Sequence, residues 1–252
     1  MTNMTLEGHL SELRKRIIYI TLFFVLSFVI GFLVSDNIVQ FLKGDIDGLG
    51  SLNVFNPSSA IMIYMKVSFL FSLVLTLPFA IYQLWKFFSP GLTERERKTI
   101  FMYIPIAPIL LMMGVLFAYY VVFPMMIKFM LKFTDLLGVN EVFGLSEYFT
   151  LMFNIVLPVG LLFELPVLIF ILTHLQIITP NTLKKIRKYA YLILVIVASL
   201  ITPPDLVTNI LVSIPLFLLF ELSIIFSELV FKKQIENNEI YYQEDPNKQK
   251  TL

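Results

Sequence analysis

Apolar residues in this chain come in six long blocks, and Lys and Arg crowd into every second gap between them. The blocks are Ile17–Val34, Ile61–Trp85, Ile100–Phe123, Phe149–Leu172, Tyr189–Ile201 and Leu206–Phe231. Most are long enough to cross a hydrocarbon layer of roughly 30 Å as α-helices. A β-barrel would show short alternating segments instead, so the pattern predicts an all-α polytopic membrane protein of six spans. Residues 1–231 form its membrane domain, and 232–252 form a polar tail.

The cations fix an orientation. Arg14, Lys15 and Arg16 precede the first span; Lys86, Arg95, Arg97 and Lys98 follow the second; Lys184, Lys185, Arg187 and Lys188 follow the fourth; Lys232, Lys233, Lys248 and Lys250 follow the sixth. That places 15 cations on one side, against Lys43, Lys128 and Lys132 on the other, with Lys66 inside the second span. The positive-inside rule then predicts both termini in the cytosol, in the plasma membrane of a prokaryote. The first span lacks a small-x-small cleavage site after it and reads as an anchor.

Several departures from plain spans follow. Met125, Met126, Phe129, Met130, Phe133, Leu136 and Leu137 recur at helical spacing opposite Lys128, Lys132 and Asp135. This predicts an amphipathic helix on the outer surface, read as a structural cap, with Asn37–Lys43 as a smaller version. Pro78, Pro105, Pro108, Pro158, Pro166 and Pro215 recur in or beside spans and predict bent helices lining a concave wall. The fifth span has 13 residues, roughly 20 Å of helix. The sixth meets Glu221 after fifteen residues. Short last spans would either thin the bilayer beside them or be accommodated by snorkelling of the flanking Tyr and Lys.

Composition narrows the chemistry. Net charge is +1, which excludes a broad nucleic-acid surface, and there is no cysteine for disulfides or thiolate ligands. With two histidines, no HExxH, no GxSxG, no phosphate loop and no Asp inside a span, no catalytic machinery and no metal or cofactor site is expected. What remains is a few carboxylates. Glu12 precedes Lys15 and Arg16 at ion-pair spacing. Thr93-Glu94-Arg95-Glu96 fits a capping box. Both segments also sit at the cytosolic mouth, where paired carboxylates could accept fork-shaped bonds from guanidinium groups. Glu164 lies deep in an apolar run, and Glu221 lies at a similar depth; each is either neutral and hydrogen-bonded or lines a polar groove.

HLSELRKRI at 9–17, FFSPGLTERER at 87–97, AYYVVFP at 118–124, FELPV at 163–167 and TPPD at 202–205 together resemble the TatC family, the core subunit of the twin-arginine protein translocase. The resemblance covers nearly the whole chain up to Phe231. It implies a receptor, not an enzyme, for signal peptides that carry two adjacent arginines before an apolar stretch. Glu12 and Glu96 would receive the arginine pair, with Glu94 able to share it, and Phe87 and Pro90 would shape that site. Arg14 and Arg97 would set loop geometry. Glu164 would be the buried acid at which partner helices dock, with Glu221 as a second polar position. TatA-type single-span subunits would join it in a hetero-oligomeric complex within the lipid bilayer, moving folded proteins on the proton gradient. The alternative from the carboxylates alone is a proton- or cation-coupled transporter of small solutes using Glu164 and Glu221.

Overall fold

A computed structural model describes residues 6–44, 53–91, 97, 101, 104–137, 144–175, 177–202 and 206–244. Apart from one isolated bridge the regular structure among the described residues is helical, because an apolar chain must satisfy its backbone groups within each crossing. The helices are α1 (Leu6–Gly44), α2 (Ser58–Phe88), α3 (Ile106–Phe117), α4 (Phe123–Leu137), α5 (Leu145–Leu162), α6 (Leu165–His174), α7 (Pro180–Ile201) and α8 (Leu206–Glu244). A 3-10 turn, Ser89–Gly91, follows α2, and a π-helical turn, Ala118–Val122, joins α3 to α4. Among the described residues, five segments are long and apolar enough to cross a membrane: Leu10–Lys43, Ser58–Phe88, Ile106–Lys132, Leu145–His174 and Asn209–Lys232.

The segment expected as the fifth span falls in α7, which is not among those five. Thr179 caps it, its Oγ1 accepting from the Thr182 N–H at 3.3 Å, and Pro180 opens its first turn. The helix therefore starts well before Tyr189. Its first half carries Lys184, Lys185, Arg187 and Lys188, so only the second half is apolar, as the short fifth block predicts.

Pairing between elements fixes the directions. Tyr64 donates to Asp36 at 2.9 Å and Arg16 donates to Gln83 at 3.0 Å, so α1 and α2 run antiparallel. Arg187 meets Glu221 at 2.9 Å and Asn209 donates to Ser199 at 2.5 Å, so α7 and α8 do too. By this alternation Arg16, Lys86, Arg187 and Lys232 share one end of the molecule.

Small residues set how closely the helices approach, as expected where lipid removes any hydrophobic drive between them. Ser27, Gly31 and Ser35 form a buried stripe on α1 facing Ser68 and Ser72 of α2. A Cβ at Gly31 would stand 3.1 Å from the Ser68 carbonyl oxygen. At Gly114, a Cβ would stand 2.7 Å from Phe163, where α3 crosses the end of α5. The largest buried cluster joins Phe149, Met152, Ile155 and Val159 of α5 to Val122, Met126 and Leu216 from neighbouring elements. A smaller one, at the cation-rich end, gathers Ile81, Trp85, Ala107, Val167, Phe170, Ile171 and Val230.

Three expectations from the pattern need correction. Asn37–Lys43 is no separate helix: nothing in the sequence breaks it, and α1 runs unbroken to Gly44. The outer amphipathic segment is not detached either, since α4 continues from α3 through the π turn. It buries Phe123, Met126 and Ile127 while Met130 and Leu136 stay exposed. The fourth block is interrupted at Phe163–Glu164. Pro166 cannot donate to the carbonyl of Leu162, and the chain closes instead with a Glu164 N–H to Leu161 bond at 3.1 Å before α6 begins.

Candidate functional site

Glu12 lies in the second turn of α1, at the cation-rich end. Its carboxylate Oε1 accepts from Arg16 Nη2, four residues on, as the spacing predicts. The same guanidinium reaches across to α2. Nη1 donates to Gln83 Oε1 at 3.0 Å, and Nη2 also contacts the Lys86 carbonyl at 3.3 Å. That carbonyl belongs to the last turn of α2, where the helix itself supplies no donor. The α1 acid is thus fastened to the end of α2, immediately before Phe87 and Pro90.

Phe87 is half-buried and packs edge-to-face on Phe88, ring centroids 5.0 Å apart; Ser89 is buried and Pro90 exposed. Arg97 lies over the Trp85 ring at 6.0 Å, and Phe101 packs on that ring at 5.1 Å. Arg97 and Phe101 thus both contact the ring of Trp85, in the last turn of α2. Arg14 is exposed. Glu94 and Glu96, with the capping box at Thr93, lie outside the described residues. The structure therefore brings Glu12, Phe87 and Pro90 to one end of the first helical pair.

Glu164 occupies the break between α5 and α6. Its residue is 3% exposed, and neither carboxylate oxygen has a hydrogen-bond partner among the described residues. Carboxylates held so far from water are rare within spans and stand at functional positions as a rule. Glu221 differs. It accepts from Arg187 Nη2 at 2.9 Å and from the Tyr191 hydroxyl, both on α7. No hydrogen bond joins Glu221 to Glu164 among the described residues.

Four participants escaped the pattern. Gln83 is 7% exposed and was hidden inside an apolar block; its amide in AIYQLW was the only signal. Arg187 and Tyr191 sit on the cationic half of α7, where they read as a solvated flank and a snorkelling ring. Lys66, part-buried in α2, donates to Thr150 Oγ1 of α5 at 2.6 Å. A small, half-open apolar pocket lies between α3, α6 and α8, lined by Ile106, Leu110, Pro166, Val167, Phe170 and Phe226. Its walls carry no polar group, so it offers contact area without direction.

Comparison with known proteins gives a consistent answer. The model of the Sec-independent protein translocase protein (TatC) family matches residues 8–215. Over 232 residues, 92% of each chain, the protein is 41% identical to the Sec-independent protein translocase protein TatC of Halalkalibacterium halodurans. It is 42% identical over 234 residues, again 92% of each chain, to TatCy of Bacillus subtilis. A crystal structure of the twin-arginine translocase receptor TatC, 31% identical, superposes with a TM-score of 0.75 over 88% of this chain and 99% of that one. These relatives are named as protein translocases, and the small-solute alternative finds no support among them.

Proposed function

Because this chain belongs to the TatC family of Sec-independent protein translocase proteins, we propose that it receives twin-arginine signal peptides at its cation-rich, cytosolic end. It is a translocase subunit and not an enzyme. The peptide's guanidinium groups bind Glu12 and Glu96, Glu94 shares the second site, and Phe87 with Pro90 forms the wall between them. The peptide's apolar stretch continues along the helices into the bilayer. TatA-type single-span subunits dock at Glu164, with Glu221 as a second polar position, and the proton gradient drives passage of the folded cargo.

One observation carries this reading. The Glu12 carboxylate is held against the last turn of α2, directly before Phe87 and Pro90, at the end where the cations collect. A cationic surround repels a general cation. It spares a ligand whose planar donors make directed, paired bonds to a carboxylate. Cytosolic placement of that end rests on the cation bias.

Site-specific crosslinking of a twin-arginine peptide to positions flanking Glu12 and Glu96 tests the proposal. Glu12→Ala and Glu96→Ala should each abolish the crosslink while the protein still inserts and folds. Replacing the peptide's arginines by lysines should weaken it, since an ammonium cannot make the forked contact. Undiminished crosslinking by both glutamate variants would overturn the assignment.

A further inference from the structure

Arg16 has no part in the peptide contact just proposed, yet it touches the acid at the centre of it. On spacing alone it is an ordinary helix-surface partner of Glu12, of the kind worth a few tenths of a kcal/mol. The geometry is not that of a surface pair. The Arg16 side chain is only 13% exposed and the Glu12 side chain 21%. Its guanidinium meets acceptors on three residues, and two of these, Gln83 and the Lys86 carbonyl, belong to α2. Gln83 is itself buried. The cation is therefore anchored on α2 whatever Glu12 does, and Glu12 is the group held to it.

We infer that Arg16 is a positioning residue: it fixes the direction of the Glu12 carboxylate and so sets the receptor's preference for guanidinium over ammonium ligands. The inference rests on the peptide-receptor function proposed above. Only one oxygen of Glu12, Oε1, is taken by Arg16; Oε2 receives no hydrogen bond from the described residues. A carboxylate fixed through one oxygen offers the other at a set angle, which rewards a planar donor. A freely turning carboxylate would accept any cation that approached. Lysine could not replace Arg16. A single ammonium on a flexible stem lacks the planar fork that reaches acceptors on both helices.

The opposite role is a competitor, with Arg16 occupying the acid until the peptide displaces it. Three points of attachment and low exposure favour the fixed mount. The two roles predict opposite signs.

The test uses the full-length protein in lipid nanodiscs and two fluorescent peptides, one with the arginine pair and one with lysines in its place. Arg16→Gln should weaken the arginine peptide about tenfold, the loss of one charge-assisted bond, and leave the lysine peptide within about twofold, so the preference collapses. Arg16→Lys should restore charge without restoring preference. Gln83→Leu removes one anchor without touching any charge, and should lower the preference by about threefold; it serves if Arg16→Gln fails to fold. An unchanged preference in Arg16→Gln, or equal losses for both peptides, would overturn the inference. So would tighter binding of the arginine peptide, which is the signature of a competitor. Wild-type binding by Glu12→Gln would instead sink the receptor function itself, a separate failure.

Discussion

The same five residues, Leu-Leu-Phe-Glu-Leu, occur at 161–165 and at 218–222, and the two glutamates meet opposite fates. Glu164 is buried without a polar partner at a break between two helices. Glu221 sits in an unbroken helix and is held by Arg187 and the Tyr191 hydroxyl. Two differences separate them. The first is the next residue but one. Pro166 ends the hydrogen-bonded ladder of α5, whereas Ser223 keeps its N–H and its Oγ bonds back to the Leu219 carbonyl at 2.6 Å. The second is the facing element. Glu221 looks onto the cationic half of α7, while Phe163, next to Glu164, packs against the apolar Gly114 crossing. Local sequence thus decides whether the helix continues. The neighbouring helix decides whether the acid is a structural tie or an available group.

Transplanting the break gives the largest expected effect. Ser223→Pro should destabilise the protein by about 3 kcal/mol, by loss of a helix hydrogen bond and a ring clash. Thermal unfolding in nanodiscs measures it, and an unchanged melting temperature would mean that proline is not what separates the two sites. Arg187→Ala comes next. Because the pair is only half-buried, about 1–2 kcal/mol should be lost, and Glu221→Leu in the same chain should recover part of it. Simple additivity of the two changes would show that the pair is not a tie. At the other glutamate the sign reverses. Glu164→Leu should raise stability by about 1 kcal/mol, since it removes an unpartnered buried carboxylate, while export of twin-arginine cargo falls. A stability loss there would reveal a partner for the acid. Lys184→Met should change stability by less than about 0.5 kcal/mol, because the Lys184–Glu228 pair is half-exposed on both sides.

Much of the fold was legible because the bilayer enforces one rule on every span. Apolar blocks longer than about 18 residues gave the crossings, and Thr179-Pro180 marks the start of α7 to any reader of caps. The breaks were less legible. Pro78, Pro158 and Pro215 lie within continuous helices, and Pro166 alone among them stands at an interruption, so proline by itself does not say which outcome follows. The π turn at Ala118–Val122 lies just before Pro124, which cannot donate to the Tyr120 carbonyl, yet a proline there does not by itself predict a π turn. Of the site, the chain position of Glu12 was clear from the motif. The tie of its partner Arg16 to Gln83 was not, because that contact spans 67 residues and depends on the register of α1 against α2. The Arg187–Glu221 pair was hidden for the same reason, with 34 residues between its members.

The interruption at Phe163–Glu164 divides one crossing into two rods with separate allegiances. One rod, α5, is tied to α2 by Lys66 and Thr150. The other, α6, at the cation-rich end, is tied to α8 by a buried hydroxyl pair, Thr173 and Ser227, 2.8 Å apart. Glu164 marks the joint between a rod fastened to the N-terminal helices and a rod fastened to the C-terminal one.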